Sequence, residues 1–161
     1  MSFLRSKKER PTLLRYERVL VPGAGTEADE PALRLVAMLL SGSAGSAVLI
    51  HVIEVPFARN LDAEDDRAVA FADEVTNRAE EFLRGQEVQV TSGVVQARSA
   101  GPAIVDDAVE QRADLIVMGL RYKKRLGGQW ETGRTVPYVL RNSTAPVWCL
   151  RIETEDLAET P

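Results

Sequence analysis

Ala47-Val48-Leu49-Ile50-His51-Val52-Ile53-Glu54-Val55 is apolar at nearly every position. A strand with one wet face would alternate polar and apolar residues. A continuous run like this belongs to a strand covered on both faces, as the strands of a parallel sheet are. Reading outward, Arg18-Val-Leu-Val-Pro22 upstream is a shorter β-branched run closed by the glycines of Gly23-Ala24-Gly25, a strand and a tight turn. Downstream, Asp114-Leu-Ile-Val-Met-Gly119 and Val147-Trp-Cys-Leu150 repeat the pattern, the last introduced by Pro146. Glu87 to Val95 alternates weakly and fits a strand near an edge.

Helical periods separate these strands. Asp29 and Pro31 suit a helix start, and Leu33, Val36, Ala37 and Leu40 share one face before Gly42 and Gly45. The longest helix is expected from Leu61 to Arg84, with Phe71, Val75, Ala79 and Phe82 on its inward stripe and Gly85 as its stop. Gly101-Pro102 opens a third helix with Ile104, Val105, Ala108 and Val109 inward. A loop from Leu120 to Thr132 leads into a last helix from Gly133 to Arg141. Strands alternating with helices imply right-handed crossovers and an α/β domain with a five-stranded parallel sheet.

Composition narrows the function classes. The 161 residues fit one domain with a core of its own, and a net charge of −4 provides no global basic field for nucleic acid. One cysteine, Cys149, excludes an internal disulfide, and one histidine, His51, excludes a His-rich zinc site. No apolar run approaches the ~20 residues of a membrane span. Residues Met1 to Pro11 are polar and basic with no signal-peptide core, so a cytoplasmic location is expected. The organisation expected is a basic arm over 1–15 (Arg5, Lys7, Lys8, Arg10), a domain over 16–152 and an acidic tail over 153–161.

In an open parallel sheet, ligands sit beyond the carboxyl ends of the strands, where strand order reverses. Two loops there carry glycine: Pro22-Gly23-Ala24-Gly25, and the stretch from Gly119 to Gly133. Glycine lets backbone amides approach an anion. The second loop adds Arg121, Lys123, Lys124 and Arg125, and Arg134 stands at a helix start, where free amides favour phosphate. This is either a phosphate cradle or a solvated basic loop. Neither glycine cluster matches a Gly-Lys-Ser/Thr phosphate loop or a full dinucleotide fingerprint. Tyr122 and Trp130 would cover a base or anchor the loop to the protein. His51 and Cys149 read as packed residues, and Glu54 either reaches the cleft or is a solvated strand end. No nucleophile with an adjacent base is visible, so no catalysis and no metal are expected.

Arg18-Val-Leu-Val-Pro22, Leu49-Ile-His-Val-Ile53, Ala113-Asp-Leu-Ile-Val-Met-Gly119, and Gly133 leading to Val139-Leu-Arg141 and Ala145-Pro-Val147 together resemble the universal stress protein family. The resemblance spans about Tyr16 to Ile152. It implies a Rossmann-like sheet of the adenine-nucleotide-hydrolase type, in strand order 3-2-1-4-5, with helices on both faces. It also implies ATP or another adenine nucleotide in the cleft between strands one and four, on Pro22, Gly23 and Ala24 and on the backbone at Val52 and Met118. Gly119 matches the first glycine of the family's phosphate motif. Tyr122 replaces the second, Gly133 matches the third with one residue inserted, and Arg134 replaces the hydroxyl residue, with Thr135 beside it. Arg121 belongs to the same candidate set. Ala24 stands where ATP-binding members carry the Asp that holds the nucleoside. The resemblance further implies a homodimer through Val147, Trp148, Cys149 and Leu150. A regulatory nucleotide-binding module is the leading reading. The alternative is a dimeric interaction module without nucleotide, acting on a transporter or another partner.

Overall fold

The computed structural model describes residues 15–62, 65–120, 123–124, 130–131 and 133–151. Most of the basic arm, the acidic tail, Arg121, Tyr122 and Arg125 lie outside that range. The elements run β1 (Arg18–Pro22), α1 (Asp29–Leu40), β2 (Ser46–Glu54), α2 (Asp66–Gly85), β3 (Gln89–Ala97), α3 (Ala100–Glu110), β4 (Leu115–Leu120), β5 (Lys123–Lys124), β6 (Trp130–Glu131), α4 (Thr135–Asn142) and β7 (Val147–Arg151). Five strands form one parallel sheet in the order β3-β2-β1-β4-β7, the topology expected. The stretch read as a plain loop holds a short antiparallel pair, Lys123 facing Glu131 and Lys124 facing Trp130. Two-residue strands carry too little periodicity to be read from sequence.

The two sheet faces bury separate cores. Val19, Val21, Ala47, Leu49 and Val117 point to one face and meet Val36 and Leu40 of α1 and Ala79 and Leu83 of α2. Leu20, Val48, Ile50, Ile116 and Met118 point to the other and meet Ile104 and Ala108 of α3 and Val136 and Val139 of α4. This alternation along strands that are apolar throughout is the two-sided burial inferred from Ala47–Val55.

Some helix details differ from the sequence reading. α2 starts at Asp66, with Asp65 as its cap accepting from the Ala68 amide at 3.1 Å. Its buried stripe is Ala72, Val75, Thr76, Ala79 and Leu83, rotated from the one expected, and Phe71 remains 44% exposed. Thr76 tolerates burial because its hydroxyl donates to the Ala72 carbonyl at 2.9 Å. Gly85 is the last helical residue, and the left-handed residue beyond it is Glu87. In α3, Val109 is turned outward and exposed.

The sheet is closed at its amino end by side chains distant in sequence. The Asp114 carboxylate accepts from the amides of Glu17 at 2.7 Å and Arg18 at 3.1 Å. The Arg18 guanidinium donates to the Gln111 carbonyl at 3.0 Å. These bonds fix β4 beside β1 and so place both carboxyl-end loops over one cleft.

Candidate functional site

β1 and β4 are neighbours from which the chain departs in opposite directions across the sheet, so a crevice opens above their carboxyl ends. A cavity of about 300 Å³ lies there. Of the residues singled out in the sequence, Pro22, Gly23, Ala24, Val52, Met118, Gly119 and Thr135 line it. Ile104, Leu120 and Val136 add apolar wall, and Asp29 and Glu54 bring carboxylates to it. Gly133 and Arg134 are exposed and are not among the lining residues. Arg121 lies outside the described residues. An apolar cavity with a few placed polar groups is the usual form of a small-molecule site.

Asp29 does something different from what its position suggested. It makes no forward cap on α1, whose N-cap is Ala28. Its carboxylate turns back onto the preceding turn and accepts from the amides of Ala24 at 3.0 and 3.1 Å, Gly25 at 2.7 Å and Thr26 at 3.2 Å. Successive amides pointing at one spot form an anion-binding concavity, and here the chain fills it with its own carboxylate. Gly25 makes the turn possible: its φ is +73°, and a side chain there would strike Phe71 and Val75.

Glu54 reaches the cavity, one of the two readings its strand-end position allowed. It is not a free strand end: its Oε1 accepts from the Ala100 amide at 2.7 Å, at the start of α3. The helix dipole favours a negative charge at that place. The bond joins residues 46 apart in sequence, so no local pattern could reveal it.

His51 is buried, as expected. Its Nδ1 lies 2.9 Å from the Gly23 carbonyl oxygen. A carbonyl only accepts, so Nδ1 carries the proton. The ring meets Phe71 edge to face at 5.6 Å. This ties β2 to the turn after β1 and explains why Phe71 sits at the rim instead of in the core.

The loop after β2 is held by Arg98, whose Nη1 donates to the carbonyls of Val55 at 3.2 Å, Pro56 at 2.6 Å and Arg59 at 2.9 Å. Its guanidinium also lies over the Phe57 ring at 5.3 Å. Arg59 pairs with Asp65 at 2.9 Å. That hydrogen bond, with the Ala68 amide behind it, holds the Asp65 carboxyl below its ordinary value. The carboxyl-end surface is thus braced on the β2 side.

The helix starts around the cavity are not equivalent. The first turn of α1 carries Asp29 and Glu30, and the first amide of α3 is taken by Glu54. The first turn of α4 holds no acid, and its N-cap, Arg134, makes no side-chain cap. Thr135 and Val136 of that turn line the cavity. Among the described residues no side chain caps the start of α4, and its first-turn amides are those of Thr135 and Val136, since Pro137 has none. Among the described residues no group of three His, Cys, Asp or Glu side chains is placed to hold a metal, and no helix is long and apolar enough to cross a membrane.

The sequence profile of the universal stress protein family matches residues 15–151. Solved structures share the fold. The universal stress protein from Archaeoglobus fulgidus is 22% identical, with a TM-score of 0.69, over 83% of this chain and 98% of that one. The structure of the Archaeoglobus fulgidus universal stress protein in complex with dAMP is 20% identical, TM-score 0.67, over 84% and 98%. A universal stress protein family protein from Arabidopsis thaliana with AMP bound is 16% identical, TM-score 0.62, over 90% and 95%. No curated protein matches the chain.

Proposed function

We propose that this chain, which belongs to the universal stress protein family, is a regulatory module that binds an adenine nucleotide in the cavity between β1 and β4. The observation that carries the reading is the inequality of the helix starts. Own carboxylates serve the turn after β1 and the start of α3. α4 has no acid in its first turn and, among the described residues, no side-chain cap, and it starts beside a cavity with apolar walls. The phosphate belongs at Thr135, and the base against Val52, Ile104 and Met118. The AMP and dAMP bound by similar folds support the same ligand class. ATP belongs to the same ligand class, and the stretch after β4 is basic in sequence, with Arg121, Lys123, Lys124 and Arg125.

The reading is of a binding module, not an enzyme. His51 is committed to the Gly23 carbonyl and the Phe71 ring. Burial pushes the Cys149 thiol up from its ordinary value, the opposite of an activated thiolate. A cytoplasmic place, with residues 16–152 as the folded unit between a basic arm and an acidic tail, goes with this reading.

The test is calorimetry at low salt with AMP, ATP and adenosine. Binding is expected to weaken as salt rises and to fall sharply for adenosine. Absence of heat from every adenine nucleotide at high micromolar protein would overturn the reading.

A second reading rests on a separate observation. β7 is an edge strand, paired among the described residues only with β4, and Trp148 on it is 36% exposed. A bare apolar edge invites pairing, and a two-fold antiparallel pairing of Val147, Trp148, Cys149 and Leu150 with a second copy would close it. Such a dimer could act on a partner with no nucleotide. The same calorimetry separates the two readings.

A further inference from the structure

We propose that Asp29 is the acceptor that reads a sugar hydroxyl of the bound nucleotide, a specificity-determining residue of the cleft; the proposal rests on the nucleotide reading above. Two cavities meet at this residue. One is the cleft of about 300 Å³ between β1 and β4. The other, of about 600 Å³, lies between α1 and α2 on the opposite face of the sheet. Gly23, Thr26, Asp29 and Ile50 line both, so the Asp29 carboxylate stands in the wall that separates them.

Its two oxygens are unequally used. Oδ2 accepts from Ala24, Gly25 and Thr26, at 3.0, 2.7 and 3.2 Å. Among the described residues Oδ1 accepts only from Ala24, at 3.1 Å. A carboxylate oxygen has about two lone-pair sites, so Oδ2 is saturated and Oδ1 retains acceptor capacity. The amides already fix the side chain, so a ligand contact to Oδ1 has little rotamer freedom left to freeze. An ionised acceptor also makes a shorter and stronger bond than a neutral one.

The ligand group beside Asp29 must be a donor. A phosphate would be repelled there, which sends it to the acid-free start of α4. The nucleotide carries its only vicinal donors, the ribose hydroxyls, between base and phosphate. Glu54 is the other carboxylate on the cavity, and its Oε1 is engaged with Ala100. The side chain of residue 24 is only a methyl group, so the carboxylate nearest that backbone comes from Asp29, five residues on.

The experiment is a cycle of ligand and side chain. AMP and 2′,3′-dideoxy-AMP are titrated into the parent, Asp29→Asn and Asp29→Ala proteins. The parent is expected to prefer AMP by about tenfold or more, the effect of one hydrogen bond to a charged group. In Asp29→Ala the preference should fall toward one, whatever loss common to both ligands follows from the unbraced turn. Asp29→Asn, which keeps one oxygen for the turn amides, should be intermediate. Equal affinity of the parent for both ligands overturns the proposal and leaves nucleotide binding intact. So does a preference unchanged by either substitution, since a carboxylate that only braces the turn would move both ligands together. If Asp29→Ala does not fold, the parent and Asp29→Asn ratios decide. If neither ligand binds the parent, the nucleotide reading itself falls, and this proposal with it.

Discussion

Gly119 is packed so closely against the backbone of Ala28 that a Cβ on it would overlap the Ala28 carbonyl group. The glycine that opens the family's phosphate motif therefore has a packing duty: it lets α1 begin directly over β4. Gly119→Ala is expected to lower the unfolding free energy by about 3 kcal/mol, at the upper end for overpacking, because the obstacle is backbone and cannot rotate away. Urea unfolding measures this. A loss under about 0.5 kcal/mol would mean that the glycine is there only for a ligand.

Asp107 gives a pH signature. Its Oδ2 is buried without a hydrogen-bond partner. Burial, with a smaller push from Glu110, raises its carboxyl above the ordinary 3.8, while a hydrogen bond from Gln111 opposes the rise. The folded state thus holds this proton more tightly than the unfolded state. The resulting stability is fully present below pH 3.8 and is lost as pH rises through the folded value. Asp107→Asn removes that loss. Its Tm at pH 7 should exceed the parent's, by a modest amount because the carboxyl is still partly solvated, and the gap should close near pH 3.5. A gap that persists in acid, or a less stable variant at pH 7, would refute the assignment.

Trp148 separates the oligomeric possibilities. Its ring meets Tyr16 edge to face at 5.5 Å, while the strand edge beside it is uncovered among the described residues. Lysine on an edge strand discourages pairing. In light scattering at tens of micromolar, the parent is expected to be a dimer and Trp148→Lys a monomer. A monomeric parent would remove the proposed pairing.

The sequence and the structure agree best where burial is uniform. β1 runs from Arg18 to Pro22 as read, and β2 differs by one residue at each end, because a strand covered on both faces leaves little choice of limits. Agreement weakens where hydrophobicity and location part company. Phe71 looked inward by size but lies at the rim against His51 and Gly25, while α2 turns Ala72, Thr76 and Leu83 inward and packs Phe82, partly buried, against the same core. At the site, the lining glycines and Val52, Met118 and Thr135 were legible from the carboxyl-end rule. The work of Asp29 and Glu54 was not. Asp29 could have been suspected, since a short acid lies four residues beyond a glycine turn with free amides. Glu54 could not, because its partner becomes a neighbour only after β3 and α3 have crossed the sheet.

The bonds from Asp114 to Glu17 and Arg18 span up to 97 residues, and this separation is also a delay. On the ribosome, β1, β2 and β3 with their helices can assemble while the other edge of β1 has nothing beside it. At roughly 5–20 residues per second, β4 follows β1 by on the order of 5–20 s. For that interval the nascent chain exposes an apolar strand edge, at Val19 and Leu20, that the finished sheet covers with Leu115 and Ile116. Completion of this sheet therefore waits on synthesis of β4, and the β1 edge stays without its partner until residue 120 emerges.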